Sequence, residues 1–454
     1  MACFALAALT LALPSEPSYD PWAWIIWGRE VLAGDLRTAT GPSWKPLPVL
    51  FTAPLSLFGD AAPELWLLVA RAATFGALIA AASLGFRLAG RPGAVLAGAL
   101  LLPATWLWEE VLLGNSEGVL ILCVLTALDR HLAGRAAQAF SLGMAAALLR
   151  PEAWPFLGLY AVWLVLRDRS RLSWVPSGLM LVPALWFLPE LWGSGSLSRA
   201  AERAQQPDSD APAFAARPAL AVLENGVTLT PVVVLVGLLA GLAAVALRRV
   251  PRGALAPALG LAVLALGWLV MVAGMAELGF SGINRYLLTP LAIAHVLAGA
   301  GLASTFRALL AARRHRGVAL GLAGGLAALA IVGVLRVAAD WPRMMELVER
   351  RAAVTGDLDQ AIARAGGEQR LEACGSLHAS FHLTPPVAWT FERHLEDVTV
   401  SPRPPGVVLR ARLFRDEPLD PPANALAGSP GRQILARTKY WEVEAACGEG
   451  SSRR

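Results

Sequence analysis

Two charged residues stand out near the start of this 454-residue chain: Asp20 in "SYDPW" and Lys45 in "GPSWKPLP". The only other lysine is Lys439, in a chain whose remaining cations are arginines. A lysine among arginines is a compact point charge, suited to a phosphate oxygen. Ordinary snorkelling toward lipid headgroups is the plainer alternative. Asp20 can accept a proton, or it can simply cap a helix whose first turn holds Pro21. Further along, "LWEEVLLGNSEGVL" gathers Glu109, Glu110, Asn115 and Glu117, "LLRPEAWPF" supplies Arg150 and Glu152, and "SGINRYLLTP" supplies Arg285 and Tyr286. The acidic stretch suits sugar hydroxyls or a divalent cation, with Glu109 and Glu110 as its ligands. A solvated loop with Asn115 or Ser116 as a helix cap is the competing reading. One carboxylate beside several cations fits displacement at a sugar carbon bonded to phosphate. The leaving phosphate needs positive charge and no general acid, whereas the attacking hydroxyl needs a base. Asp20 is the expected base, and Lys45, Arg150 and Arg285 are expected at the donor phosphate. Glu109, Glu110, Asn115, Glu117, Glu152 and Tyr286 are expected as substrate contacts.

The elements that carry these residues are membrane helices. Apolar residues make up 56% of the chain and charged residues only 16%, with a mean hydropathy of +0.53. A soluble domain carries roughly a quarter charged residues. Long Leu/Ala/Val runs without period-2 alternation predict helices, since lipid offers no hydrogen bonds to open strands. About eleven spans are expected at a helix-spanning length of about 20 residues. They lie near 2–13, 64–86, 92–107, 118–133, 137–149, 155–166, 173–189, 229–247, 254–276, 286–305 and 317–338. The first is only roughly 18 Å long at 1.5 Å per residue, and a start upstream of Met1 stays open. A signal peptide is its rival, but the basic leader segment is missing.

Arginines fix the expected orientation. Arg87, Arg91, Arg130, Arg135, Arg167, Arg169, Arg171, Arg248, Arg249, Arg252, Arg313, Arg314 and Arg316 fall in alternate loops. Those loops are expected to be cytoplasmic. The net charge of +5 is then a topology signal, and no nucleic-acid partner is read into it. The candidate residues all map to the opposite, extracytoplasmic side, where Arg150 and Arg285 break the basic-inside pattern. In the first outer loop, Trp22, Trp24 and Trp27 suit a helix lying along the interface with its indoles at headgroup depth. Arg71 sits inside the second span and is expected to pair with one of the acids. Residues 201–218 read as a mobile loop.

From about Asp340 the chain turns polar and Pro-rich, long enough for a small domain. "VVLRARLF" and "YWEVEAAC" read as strands. Cys374 and Cys447 both lie in this tail, and an oxidising compartment makes a disulfide between them plausible. Cys3 and Cys123 read as small apolar fillers in spans. The expected fold class is therefore an all-α polytopic bundle of residues 1–339, with interfacial helices in its first outer loop. A small extracytoplasmic α+β domain, residues 340–454, follows it.

On "YDPWAW", "SWKPLP", "NSEG" and "RPEAWP", the chain resembles integral-membrane glycosyltransferases of the C-type fold. That group includes protein O-mannosyltransferases and the lipid A aminoarabinose transferase. The combination looks most like uncharacterised putative mannosyl- or glycosyltransferases of high-GC Gram-positive bacteria. The resemblance implies that Asp20 matches the family's acid after the first span. It implies that Lys45 matches the Lys-Pro stretch at the donor phosphate, and that Glu109 and Glu110 match its second-loop acids more loosely. Arg150 and Arg285 resemble the family's phosphate-facing cations by location. It further implies a polyprenyl-phosphate sugar as donor, in the plasma membrane, with an acceptor of unknown kind. Pro21 follows Asp20 where a second acid would stand, which leaves a metal requirement open. A flippase of lipid-linked sugars is the main alternative, although it should carry polar or broken helices near the bilayer midplane. A polymerase or ligase of lipid-linked glycans would share the donor chemistry.

Overall fold

The structure is a computed structural model that describes residues 1–250, 252–311, 316–413, 418–421, 426 and 429–447. Arg313 and Arg314 of the basic set, and Phe414 of the first expected strand, lie outside the described residues. The described helices begin with α1 (Ala2–Thr10), α2 (Tyr19–Ala33), α3 (Pro46–Leu55), α4 (Ala62–Leu101), α5 (Thr105–Leu112) and α6 (Glu117–Leu132). They continue with α7 (Ala136–Ala147), α8 (Trp154–Arg167), α9 (Val175–Ser194), α10 (Arg199–Ala204), α11 (Pro218–Thr228) and α12 (Val232–Ala246). After α13 (Arg252–Glu277), α14 (Leu288–Ala311) and α15 (Arg316–Gly356) come the short α16 (Leu358–Arg364), α17 (Glu368–Cys374) and α18 (Thr384–Thr390).

Among the described residues, Pro46–Leu101, Val175–Ser194, Gly253–Glu277 and Asn284–Ala311 are long and apolar enough to cross a membrane. Pro218–Thr228 and Val232–Ala246, bent by 94°, make a fifth if counted as one span. Other expected spans fall on shorter helices such as α6, α7 and α8. On α13, Leu259, Val263, Leu266 and Val270 each leave more than half their surface exposed. Their spacing puts them on one face. In water such a stripe is a liability, whereas in a bilayer it is the lipid face.

α4 is two helices. Its backbone leaves the helical region at Ala89 and Gly90, and Gly90 takes φ +63° with ψ −160°. Only glycine adopts that region readily. Gly85 and Gly93 then face each other so closely that a Cβ on either would lie 2.3 Å from the other's carbonyl oxygen. The pair is antiparallel, which separates the spans expected at 64–86 and 92–107. α14 packs against both α4 and α12 and is buried along most of its length, with Ala292, Ala298 and Ala303 at full burial. Small residues let such helices approach closely without a hydrophobic drive.

α2 differs from expectation. Pro21 through Gly28 is buried without interruption, and Trp24 and Trp27 have no exposed surface. The indoles are core, not an interfacial belt. Trp24 meets Trp66 edge-on at 5.7 Å, Trp27 meets Trp44 at 5.6 Å, and Trp22 meets Trp389 at 6.0 Å. A helix apolar on every side belongs inside, and the C-terminal unit supplies the cover that the sequence could not show. Gly28 sets how closely α2 approaches α3. A Cβ there would lie 2.6 Å from the Thr52 carbonyl carbon.

The C-terminal unit holds β1 (Ser376–Ala379), β2 (Val398–Thr399), β3 (Gly406–Ala411), β4 (Arg432–Arg437) and β5 (Trp441–Ala446). The sheet order is β2-β1-β3-β5-β4, with β1 parallel to β2 and β3, and β5 antiparallel to β3 and β4. The two expected strands fall on β3 and β5. A disulfide joins Cys374 to Cys447. The chain makes no break at residue 340, because α15 continues to Gly356. Composition changes there while the helix runs on, so α15 carries the tail directly out of the bundle.

The unit is clasped to the segment between α1 and α3. His394 sits between two carboxylates, its Nδ1 2.9 Å from Glu30 Oε1 and its Nε2 3.2 Å from Asp35 Oδ2, Arg37 pairs with Glu396 at 3.2 Å, and Arg29 donates to the Arg393 carbonyl. Tyr19 stacks on Phe381 with centroids 4.3 Å apart. Among the described residues Arg71 pairs with no acid. Its guanidinium donates to the Thr10 carbonyl (2.7 Å) and to Ser15 Oγ (2.9 Å), so it closes the C-terminal end of α1. A cation is favourable at that end of a helix.

Candidate functional site

Four separate turns aim their charges at one point. α2 begins at Tyr19 with Ser18 as its N-cap residue, and no side chain caps it. Asp20 therefore sits inside the first turn, with its carboxylate free to point elsewhere. Lys45 is the residue before α3, and the extended Lys45 backbone ahead of Pro46 aims its side chain back at α2. Lys45 Nζ lies 3.7 Å from Asp20 Oδ2 and 4.9 Å above the Trp24 ring. Arg285, in the short turn Asn284–Leu287 before α14, lies 3.3 Å from the same Asp20 oxygen.

Arg285 is shared. Its Nε also lies 3.0 Å from Glu117 Oε1 and 3.3 Å from Glu110 Oε2, and its Nη2 donates to Asn115 Oδ1 at 3.3 Å. Arg150, ahead of the turn Pro151–Ala153, pairs with Glu117 and covers the Tyr286 ring at 4.5 Å. Asn115 does not cap α6. Its amide donates to Glu110 Oε2 (2.7 Å), and its oxygen accepts from Ser18 (3.0 Å). Buried charges persist only when they are paired and hydrogen-bonded in this way.

The electrostatics follow from crowding. Burial alone would raise the Asp20 carboxyl, but Arg285 and Lys45 outweigh it and hold the group below the ordinary carboxylate range. Burial, reinforced by Arg150, lowers the Lys45 ammonium to about 8 although Asp20 pulls the other way. Burial pushes the Glu110 carboxyl well above its usual range against the attraction of Arg285.

These groups open into a cavity of about 450 Å³ whose lining includes Asp20, Lys45, Arg150, Glu152, Arg285 and Tyr286. Apolar walls come from Trp154, Trp186, Phe187, Met275 and Phe280. A second cavity, about 720 Å³, lies between α2 and the C-terminal unit, lined by Tyr19, Thr40, Arg199, Phe381, Glu396 and Thr399 among others. Arg203, Gln206 and Asp208 line both. The segment expected as a mobile loop is thus, in part, the wall between two cavities. α10 and a turn at Pro212–Phe214 shape it, and Arg199 anchors it to the Gly41 and Pro42 carbonyls at 2.8 and 2.7 Å.

The structure brings together Asp20, Lys45, Glu110, Asn115, Glu117, Arg150, Glu152, Arg285 and Tyr286. Glu109 stands apart: it is exposed, and its charged neighbour is Asp340 of α15. Successive helical residues point about 100° apart at 3.6 residues per turn, so only one of the two acids on α5 can face inward. Among the described residues no group of three or more His, Cys, Asp and Glu side chains is arranged to hold a metal ion. Sequence reasoning missed Ser18, Trp24, Arg199 and Arg203. The last two were within reach of the argument that found Arg150 and Arg285, since they too are arginines on the side where arginine is unexpected.

No protein-family model matches the sequence, and none of the curated proteins compared with it does. Solved structures do match. The crystal structure of ArnT from Cupriavidus metallidurans in the apo state aligns over 98% of this chain and 97% of its own, with a TM-score of 0.59 and 16% identity. The structure of the same protein bound to undecaprenyl phosphate aligns over 99% and 98%, with the same TM-score and identity. The chain shares their fold along its whole length.

Proposed function

We propose that this chain is a membrane glycosyltransferase that moves a sugar from a polyprenyl-phosphate donor to an acceptor hydroxyl at the extracytoplasmic face. The observation that carries the reading is the convergence of Asp20, Lys45, Arg150 and Arg285 on one partly apolar cavity. A single carboxylate and three cations are the groups that displacement of a sugar from phosphate asks for. The fold shared with a protein crystallised with undecaprenyl phosphate supports a polyprenyl-phosphate donor. The apolar walls suit the first isoprene units.

In this mechanism the donor phosphate takes the place of Asp20 as partner of Lys45 and Arg285. The acceptor oxygen attacks the anomeric carbon from the side opposite the phosphate. The carbon–oxygen bond to phosphate breaks, its electron pair leaves on the phosphate oxygen, and the acceptor proton passes to Asp20. Configuration inverts. With its cations turned to phosphate, Asp20 regains the basicity that the unliganded site suppresses. Tyr19 and Asp20 are neighbours on α2, one lining each cavity, so the second cavity is the acceptor's route.

The extracytoplasmic assignment rests on the expected arginine topology and on the Cys374–Cys447 disulfide, which suits an oxidising compartment. A flippase is the less supported reading. The bent pair of α11 and α12 contributes no residue to the main cavity, whereas a transporter would put broken helices at its substrate. The test is incubation of purified protein with a panel of undecaprenyl-phosphate sugars and candidate acceptors, followed by mass analysis. A transferase releases undecaprenyl phosphate and a glycosylated product. A transporter leaves the donor intact, and a ligase joins glycan chains.

A further inference from the structure

Two carboxylates on the bundle side of the cavity, Asp20 and Glu152, differ in their partners; among the described residues Glu117 and Glu190 also carry a buried Oε2 without a partner, but neither lines this cavity. Asp20, Glu110 and Glu117 each face a cation at 3.7 Å or less. Glu152 is 4% exposed and lines the same cavity, yet among the described residues it has no cation within 4.0 Å and no hydrogen-bond partner on its buried Oε2. Leaving a buried carboxylate oxygen unsatisfied is costly, because it forfeits its hydration without a replacement hydrogen bond. The fold does not have to bear that cost for backbone reasons. The turn Pro151–Ala153 makes no use of the Glu152 side chain, and the carboxylate does not cap it. A group left unpaired at such cost is expected to find its partner in a bound ligand.

The position narrows what that partner is. Glu152 lies two residues from Arg150, one of the cations proposed for the donor phosphate. A sugar bonded to that phosphate extends about one ring's width from it. Beside Glu152 stand Trp154 and Trp186, their rings 6.0 Å apart and edge-to-face. Both indole N–H groups donate to the Ala147 carbonyl at 2.9 Å. Their polar edges are occupied, which leaves ring faces for the C–H surface of a sugar. Resting on the glycosyltransferase reading above, we infer that Glu152 is the specificity-determining residue for the transferred sugar. It accepts a hydrogen bond from a ring hydroxyl and turns away donors whose sugar carries a carboxylate at that position. The substrate class is then an uncharged polyhydroxylated sugar. A carboxylate acceptor rejects a sugar lacking the hydroxyl because its own oxygen stays unpaired, and it rejects a uronic acid by like-charge repulsion.

The test compares wild type with Glu152→Gln, purified and reconstituted, using undecaprenyl-phosphate hexose, the matching deoxyhexose and the matching uronic acid. Wild type should prefer the hexose over both analogues by at least 100-fold in kcat/KM. In Glu152→Gln the hexose should lose at least tenfold, and the preference over the uronic acid should shrink by a similar factor. Binding of undecaprenyl phosphate, which has no sugar, should be unchanged in the variant. The thermal midpoint should change little, since the substitution breaks no hydrogen bond or ion pair of Glu152 among the described residues and gives up only its longer-range attraction to Arg150. If wild type transfers sugar but Glu152→Gln keeps the same ratios among donors, the inference is overturned while the transferase reading stands. A variant that weakens undecaprenyl phosphate binding as much as hexose transfer also overturns it, because Glu152 would then act on the phosphate side. If wild type transfers none of a broad sugar panel, it is the transferase reading that fails.

Discussion

Arg285 and Asp20 are 265 residues apart in sequence and 3.3 Å apart in space. The same guanidinium also holds Glu110 and Glu117. One cation thus ties the start of α2 to the start of α6 at the mouth of the cavity. Arg285→Ala should therefore lower kcat/KM by at least 100-fold and also lower the thermal midpoint, since breaking a buried ion pair from one side typically costs about 3–5 kcal/mol. Arg285→Lys should rescue little, because an ammonium cannot replace a planar fork that reaches three carboxylates. Full activity in the lysine variant would remove Arg285 from the account.

If Lys45 holds the donor phosphate as proposed, donor affinity should depend on pH. Its folded pKa is lowered to about 8, so it is charged below that pH and neutral above. A phosphate binds the charged form. Affinity for undecaprenyl phosphate should hold steady from pH 7 to 8 and then weaken by up to tenfold per unit, about 1.4 kcal/mol. Calorimetric titration from pH 7 to 9.5 reads this directly. In Lys45→Arg the alkaline limb should vanish, and a flat profile in wild type would contradict the phosphate role.

Asp20 should behave in the opposite sense. In the empty site its pKa lies below the usual value because Arg285 and Lys45 outweigh burial. It therefore stays ionised well into acid, and the acid limb of kcat/KM should not come from it. In the proposed mechanism donor phosphate draws both cations away, so the acid limb of kcat should move to higher pH than that of kcat/KM. Coincident limbs in the two profiles would argue against exchange of partners at this carboxylate.

Gly28 fixes the separation of α2 from α3, and so of Asp20 from Lys45. A Cβ at Gly28 would meet the Thr52 carbonyl carbon and the Thr52 hydroxyl, both at 2.6 Å, and Ala53 N at 2.7 Å. Gly28→Ala should cost roughly 1–3 kcal/mol of stability and at least tenfold in kcat/KM. Thr52→Ala removes the hydroxyl contact but should not restore full activity, because the Thr52 carbonyl carbon and Ala53 N still clash. Rescue by Thr52→Ala would show that the spacing is set by side chains instead.

How much of this was legible in the sequence differs from residue to residue. Asp20, Lys45, Arg150 and Arg285 were found because charge at an apolar boundary is conspicuous and arginine on one side breaks a topological rule. Their partners were not legible. Nothing local says that Glu110 turns inward and Glu109 outward, since both readings satisfy a short helix. Trp22, Trp24 and Trp27 read as an interfacial belt because burial on all sides needs a cover, and that cover comes from tertiary packing: Trp66 on Trp24, Trp44 on Trp27, and Trp389, more than 350 positions away, on Trp22. Arg71 was expected to seek an acid, whereas a helix end serves a buried guanidinium as well. The strands of the tail were visible as short apolar runs, but α15 crosses the change in composition without breaking.

The most direct test of the central claim is single-turnover transfer by purified Asp20→Asn with an undecaprenyl-phosphate sugar that wild type uses, alongside the binding of undecaprenyl phosphate and the thermal midpoint of both proteins. Asparagine keeps the shape and loses the base. Transfer should fall by at least 1,000-fold while donor binding persists and the fold survives. Transfer at the wild-type rate in a folded, donor-bound Asp20→Asn protein would contradict the claim.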